Sequence, residues 1–408
     1  MLFFFDQYLF ALIASGNLSP DLFIFTIYFL GFYQLCNYAK KHNGIGVKDY
    51  ILIYFHRYFK LAPLYYFVFF AGWFIVPLLS TSSGWFVSER LYWNCESQWY
   101  YVLIFVNQLV PFFTKALEGC YYWPYIISCD LLTYTVFPLW IILYRRSKVV
   151  FYILNTILLV GGMAITGCIA YYNNLTVGIL TFEDYYLYAY EFNKPYTKGV
   201  AMSLGMFMAI FYMRLLEYRE AHDGDKRKKF PIIYYTKKFF IFPLYIYGGG
   251  MILFIASIPL TANQDAYSWT RAQNTTFFTL GRLGYISGVC AIIIAIFLSN
   301  NKIVQNILSN KVFRPLSKLT FGAYLVYPIS ISLTYYATEK AIFVDYIMVV
   351  YSFIVNVAVA YLIAFGLYLA IEAPIANVIH FFNCIMTKKD PELLQNENGE
   401  QKVRSDVI

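Results

Sequence analysis

The chain has 408 residues, of which 60% are hydrophobic and only 13% charged, with a mean hydropathy of +0.55. A soluble domain carries roughly 25% charged residues, so this composition excludes an ordinary water-soluble globule and predicts an all-α, polytopic integral membrane bundle. The net charge is +8, yet the basic residues lie in short clusters between apolar runs. That pattern sets membrane topology and excludes a nucleic-acid footprint.

Leu2–Ser15 is apolar but carries Asp6, lacks a basic start and is short for a span, so no cleavable signal peptide is expected. It reads as a tenth span or an interfacial or re-entrant piece within an N-terminal segment, 1–20. Runs of spanning length follow at Asp21–Tyr38, Leu61–Leu79, Tyr122–Tyr144, Val149–Tyr171, Lys198–Glu217, Phe239–Leu260, Thr276–Ser299, Leu319–Ala337 and Val344–Ala370. These give nine to ten spans in a domain over 21–385, at about 20 residues each. The tail 386–408 is polar and charged and reads as disordered.

Lys and Arg concentrate in alternate loops: Lys40, Lys41, Lys48, Arg57 and Lys60 in the first, Arg145, Arg146 and Lys148 in the third, Arg219 and Lys226 to Lys229 in the fifth, and Lys302, Lys311, Arg314 and Lys318 in the seventh. The positive-inside rule puts these loops and the tail in the cytosol. The protein would then sit in the endoplasmic reticulum, the plasma membrane or another internal membrane. Three acceptor patterns for N-glycosylation, at Asn17, Asn174 and Asn274, fall on the opposite side. So do Cys95 and Cys120, which flank a long outer loop. An oxidising lumen permits a bridge between them, and spacing alone equally allows two unrelated thiols. No cysteine and histidine cluster suits a metal.

Ionisable side chains inside spans are costly and so are candidates for function. Arg57 and Lys60 share a helix face beside His56 at the start of an apolar run, where they could hold lipid head-group phosphates or a phosphate-bearing substrate. Asp130 and Tyr134 share a face four residues apart, as a carboxylate to orient or deprotonate an acceptor hydroxyl or as a structural pair. Arg282 could pair with Asp130 or hold a carbonyl or phosphate oxygen. Tyr327 falls mid-span before Pro328, and Glu372 closes the last span, where it could pair with Arg57 or Lys60. There is no phosphate-cradling glycine loop, GxSxG elbow or HExxH.

The ordered set of segments is similar to the membrane acyltransferase 3 family, in its nose-resistant-to-fluoxetine-like branch. Arg57-Tyr-Phe-Lys-Leu-Ala-Pro63 resembles "R-y-x-R-l-x-P", and Asp21-Leu-Phe-Ile-Phe resembles the family's "V-D-x-F-F" opening. Cys95, Trp99, Asn107, Cys120 and Trp123 resemble its outer loop, and Asp130-Leu-Leu-Thr-Tyr134 with Pro138 resembles "D-x-Q-f-y…P". Pro315 to Pro328 resembles "P-L-s-r-L-T-y-x-x-Y-L-x-H-P", and Glu372-Ala-Pro374 the terminal "E-x-P".

The resemblance implies transfer of an acyl group from a cytosolic acyl-CoA-like donor to a hydroxyl of a lipid, sugar or other acceptor. Acyl-CoA would be a co-substrate, with no further cofactor. By the same resemblance Arg57, Lys60 and His56 hold the donor, Asn107 and Arg282 contribute to substrate binding, and Asp130, Tyr134 and Tyr327 are the catalytic candidates. The chain departs from the pattern at the family's first span, which has no counterpart here. It also departs at Lys60 for an arginine, Leu132 for a glutamine and Tyr327 for a histidine. A tyrosine, with its pKa near 10, does not replace a histidine base at pH 7. The alternative is a catalytically impaired relative that handles lipids or small molecules or serves as a subunit of a membrane complex. An unrelated secondary transporter ranks behind both.

Overall fold

The computed structural model describes residues 18–42, 44–79, 92, 94–109, 120–121, 123–177, 194–239, 241–258, 268–299, 306, 310–335 and 345–379. The helices among them are α1 (Ser19–Lys41), α2 (Val47–Phe74), α3 (Cys95–Leu103), α4 (Tyr125–Arg146), α5 (Lys148–Tyr172), α6 (Gly199–Glu220), α7 (Asp223–Lys229), α8 (Pro231–Lys238), α9 (Ile241–Ala256), α10 (Arg271–Leu298), α11 (Phe313–Tyr335) and α12 (Tyr346–Leu367). A 3₁₀ turn, Pro195–Lys198, leads into α6, and a π turn, Tyr368–Glu372, extends α12.

Local chemistry fixes several ends. α1 opens with Pro20 and Asp21 and closes with Lys40 and Lys41, so its charges complement the helix dipole. Ser147 caps α5 by accepting from Val150 N–H at 3.4 Å. Thr270 and Gln273 form a reciprocal capping box at the start of α10.

Seven helical segments among the described residues are long and apolar enough to cross a membrane: Ser19–Lys41, Val47–Leu78, Tyr125–Arg146, Lys148–Tyr172, Pro195–Glu220, Arg271–Leu298 and Ile347–Ile379. Among the described residues the expected nine to ten spans are thus not all found, for physical reasons. The run at 239–260 yields α9, only 16 residues long. At 1.5 Å per residue it falls short of a hydrocarbon core about 30 Å thick. It joins α8 at a 96° bend, and the pair makes an eighth span only if taken as one broken crossing. The described part of the run at 319–337 lies in α11, where Arg314, Lys318, Ser317, Thr320 and Thr334 dilute the apolar residues. Leu2–Ser15 and the tail lie outside the described residues.

The helices divide into two compact units. The larger holds α1 and α3–α10, and the smaller holds α2, α11 and most of α12. In the larger unit, small residues let backbones approach, as in other membrane bundles. A Cβ on Gly205 of α6 would meet Phe25 O and Tyr28 Cβ of α1, each at 2.7 Å. Gly288 of α10 lies as tightly against Phe254 of α9. Asn155 and Ser203 clasp α5 to α6 by exchanging side-chain bonds to each other's backbone carbonyl, at 3.3 and 2.9 Å. Phe137 meets Tyr28 edge-on at 4.9 Å, and the fully buried Phe32 packs on Phe151 at 5.5 Å.

In the smaller unit Ala323 of α11 packs with Ala360 and Ala364 of α12. Thr320 Oγ1 and Tyr361 Oη lie 3.2 Å apart, and Asn356 Oδ1 accepts from both Ser330 and Thr334 at 3.2 Å.

Candidate functional site

Three charged side chains meet inside the larger unit at the end opposite its basic loops. Asp21 comes from the first turn of α1, Lys198 from the 3₁₀ turn before α6, and Arg282 from α10. Lys198 Nζ donates to Asp21 Oδ1 at 2.9 Å, and Arg282 Nε lies 3.2 Å from Asp21 Oδ2. The three side chains are exposed by only 0 to 5%. Arg282 also reaches the carbonyl of Thr197 at 3.5 Å. Lys198 lies 5.7 Å from the ring centre of Tyr125 on α4. A lone ion cannot be held this far from water, whereas two cations sharing both oxygens of one carboxylate can.

Asp130, one turn into α4 from Tyr125, is itself only 4% exposed. Its neighbour Cys129 stands within electrostatic reach of Lys198, Asp21 and Lys194. Tyr28 of α1 is close to Asp130, Thr133 and Tyr134. Tyr134 is buried and stacks on Phe137 at 5.5 Å. Lys194, just outside the span, is also buried, and burial pushes its ammonium down to about 8.

The expected residues fare unevenly. Arg282 sits in this cluster, and its carboxylate partner is Asp21 where pairing with Asp130 had been considered. Asn107, expected to bind substrate, is held by protein groups at the start of α4. Its Nδ2 donates to the carbonyls of Cys120 and Tyr121 at 3.3 and 3.0 Å, and its Oδ1 accepts from Ser128 at 2.9 Å. Both of its donors and its carbonyl are thus engaged by protein. A disulfide joins Cys95 to Cys120.

His56, Arg57, Lys60 and Tyr327 belong to the smaller unit. His56 and Lys60 are exposed and Arg57 is partly so, all on α2. Lys60 is within electrostatic reach of Glu372, at the π turn. Tyr327 is 40% exposed, with its ring 6.0 Å from that of Tyr324. Of the glycosylation acceptors, Asn17 lies outside the described residues. Asn174 is exposed in a left-handed turn. Asn274 is buried, with Nδ2 donating to Trp269 O and Oδ1 accepting from Val177 N–H, so the fold withdraws it from modification.

Two members of the cluster, Asp21 and Lys198, were not singled out from sequence as site residues. Asp21 lies in the first turn of an apolar run and Lys198 at the edge of another. The available signal was the cost of any charge at a span boundary facing the bundle. Among the described residues no three His, Cys, Asp or Glu side chains gather as a metal site.

Compared with curated proteins, the chain is 21% identical to the nose resistant to fluoxetine protein 6 of Caenorhabditis elegans, over 95% of its own length. The match covers 47% of that protein, so the chain spans about half the length of the curated relative it matches. No protein-family profile and no solved structure matches the chain. Fold and comparison together point to a helical membrane protein with distant similarity to a nose resistant to fluoxetine protein.

Proposed function

We propose that the protein is a membrane O-acyltransferase whose base is Asp130. The acceptor hydroxyl would give its proton to the Asp130 carboxylate while its oxygen bonds to the thioester carbon of an acyl-CoA-like donor. The carbon–sulfur bond then breaks, and the thiolate leaves and takes up a proton. The observation that carries this reading is a buried carboxylate held in the bundle beside Tyr28 and Tyr134. A carboxylate placed there can take up the proton of an acceptor hydroxyl that reaches it. Donor phosphates are assigned to Arg57 and Lys60 by the resemblance to the acyltransferase family. The acceptor is a hydroxyl of a lipid, a sugar or another molecule.

One observation favours a second reading, a non-catalytic relative that handles lipids or joins a membrane complex. Lys198 and Arg282 are both engaged by Asp21, and Asn107 by the protein groups that hold it, which leaves few polar groups to hold a substrate. The test is transfer of a labelled acyl group from acyl-CoA to a panel of lipid and sugar hydroxyls by the 408-residue chain in nanodiscs. Asp130→Asn should abolish transfer while leaving donor binding and thermal unfolding unchanged, and Arg57→Ala should weaken donor binding. Absence of any donor binding would reject the enzyme in favour of the second reading.

A further inference from the structure

The basic end of the larger unit holds a cavity of about 610 Å³, within the usual range for small-ligand sites of roughly 300–1,000 Å³. Four cations line it: Lys40 from the last turn of α1, Arg145 from the last turn of α4, Lys148 from the first turn of α5 and Arg214 from α6. They arrive from segments far apart in the chain, so the fold assembles them, and they are not one solvated charge run. Two carboxylates, Glu217 and Glu220, line the same space. Glu217 is taken by Arg214 at 3.0 Å. The Arg145 guanidinium, which lines the cavity, is anchored on the carbonyl of Ala39, and this bond uses one of its five N–H donors. Four cations against two carboxylates leave an excess of two positive charges. Tyr33, Tyr144, Met213 and Leu216 supply apolar wall, and the Cys36 thiol lies in the same lining.

We propose that this cavity binds a phosphate monoester, carried either on a lipid at the membrane surface or on a small soluble molecule. A monoester bears about −1.5 to −2 charges near pH 7 and three acceptor oxygens, which matches the excess charge. A phosphodiester bears a single charge and leaves part of that excess uncompensated. The apolar wall sits beside the cations, as the glycerol or acyl portion of an amphiphile requires. The site uses none of the residues assigned to acyl transfer and stands or falls apart from that reading.

Cys36 provides the readout. The 408-residue chain in nanodiscs is treated with a maleimide, and modification is followed at each cysteine by mass spectrometry, with the exposed Cys168 as internal reference. The discs contain phosphatidylcholine alone, phosphatidylcholine with phosphatidate, or phosphatidylcholine with phosphatidylglycerol. A fourth sample has phosphatidylcholine discs with soluble glycerol 3-phosphate. Phosphatidate should slow Cys36 modification several-fold if the ligand is a lipid, and glycerol 3-phosphate should do so if it is soluble. Either result supports the site. The double variant Lys40→Glu with Lys148→Glu should lose this protection, while Lys228→Glu on α7, outside the cavity, should keep it. If the double variant fails to accumulate, Lys148→Ala alone should weaken protection. Native mass spectrometry of retained phosphatidate gives the same comparison if Cys36 reacts too slowly to follow. Protection by neither phosphate, or equal protection by phosphatidylglycerol, overturns the proposal.

Discussion

The larger unit holds charge in two contrasting ways at its two ends. At one end Asp21, Lys198 and Arg282 come from separate elements, are shut off from solvent, and pair at 2.9 and 3.2 Å. At the other end the Arg214–Glu217 pair has a similar distance, 3.0 Å, but both side chains are 46% exposed. Distance therefore does not rank the pairs; desolvation does. A buried charge that loses its partner cannot turn to water, whereas an exposed one simply hydrates. The contrast also separates roles. The buried end fixes how helices meet, and the open end has cations free to take a ligand's charge.

The largest effect should follow from Asp21→Ala, which strands two buried cations. Removing one member of a buried pair costs about 3–5 kcal/mol, enough to abolish accumulation of a marginal protein. Thermal unfolding in detergent, followed by tryptophan fluorescence, would measure it. A loss no larger than that of an exposed pair would erase the contrast between the two ends. Lys198→Met should cost less than Asp21→Ala, because Asp21 then keeps Arg282 as a partner.

Next comes the backbone contact on which α1 and α6 meet below the cluster. Gly205→Ala places a methyl 2.7 Å from Phe25 O and Tyr28 Cβ. Overpacking of this kind costs about 1–3 kcal/mol. If the cluster depends on that approach, Gly205→Ala and Lys198→Met should be non-additive in the same unfolding assay. Simple addition would show that the helices and the ion set are independent.

Asn107→Ala should cost about 1–3 kcal/mol, since it leaves the carbonyls of Cys120 and Tyr121 and the Ser128 hydroxyl short of a partner. The structural assignment of Asn107 predicts reduced stability with donor binding intact; a substrate-binding role predicts the reverse.

The helical architecture was legible because uninterrupted apolar runs with charged ends can satisfy their backbone in lipid only as helices. Asp130 and Arg282 were legible as well, because a charge within such a run stands out. Partner choice was not. Arg282 selects Asp21, 261 positions away in sequence, and only the packing of α1 against α6 and α10 decides that. Asn107 and Asn274 show the complementary gap. Their motifs are local and readable, but whether an amide faces a ligand, a glycan-attaching enzyme or a neighbouring carbonyl depends on burial. The run that became α9 failed on length, a matter of three-dimensional path that hydropathy does not encode.

Lys194, beside the buried end, offers a pH test. Burial lowers its folded-state pKa to about 8, while the unfolded chain keeps the ordinary lysine value near 10.5. Between those values the unfolded state binds more protons, so stability should rise as pH increases from about 8 towards 10.5. Below about 8 the penalty of burying the ammonium applies in full. The difference in unfolding midpoint between the wild type and Lys194→Met should therefore shrink across that window. An unchanging difference would mean that Lys194 titrates as an exposed lysine does.

The smallest effect should come from the open end, where Arg214→Ala removes a pair worth about 0.2–1 kcal/mol. Salt distinguishes the two ends further. Exposed pairs are screened within about 8 Å at physiological ionic strength, and buried ones much less. Raising salt should thus remove most of the small Arg214→Ala difference and leave the Asp21→Ala difference nearly intact. Arg214→Ala should also free Glu217, which leaves two unengaged carboxylates facing three cations in the cavity. Phosphate protection of Cys36 should then weaken even though stability barely moves. An Arg214→Ala variant that lost stability and kept protection would reverse the roles assigned here to the two ends.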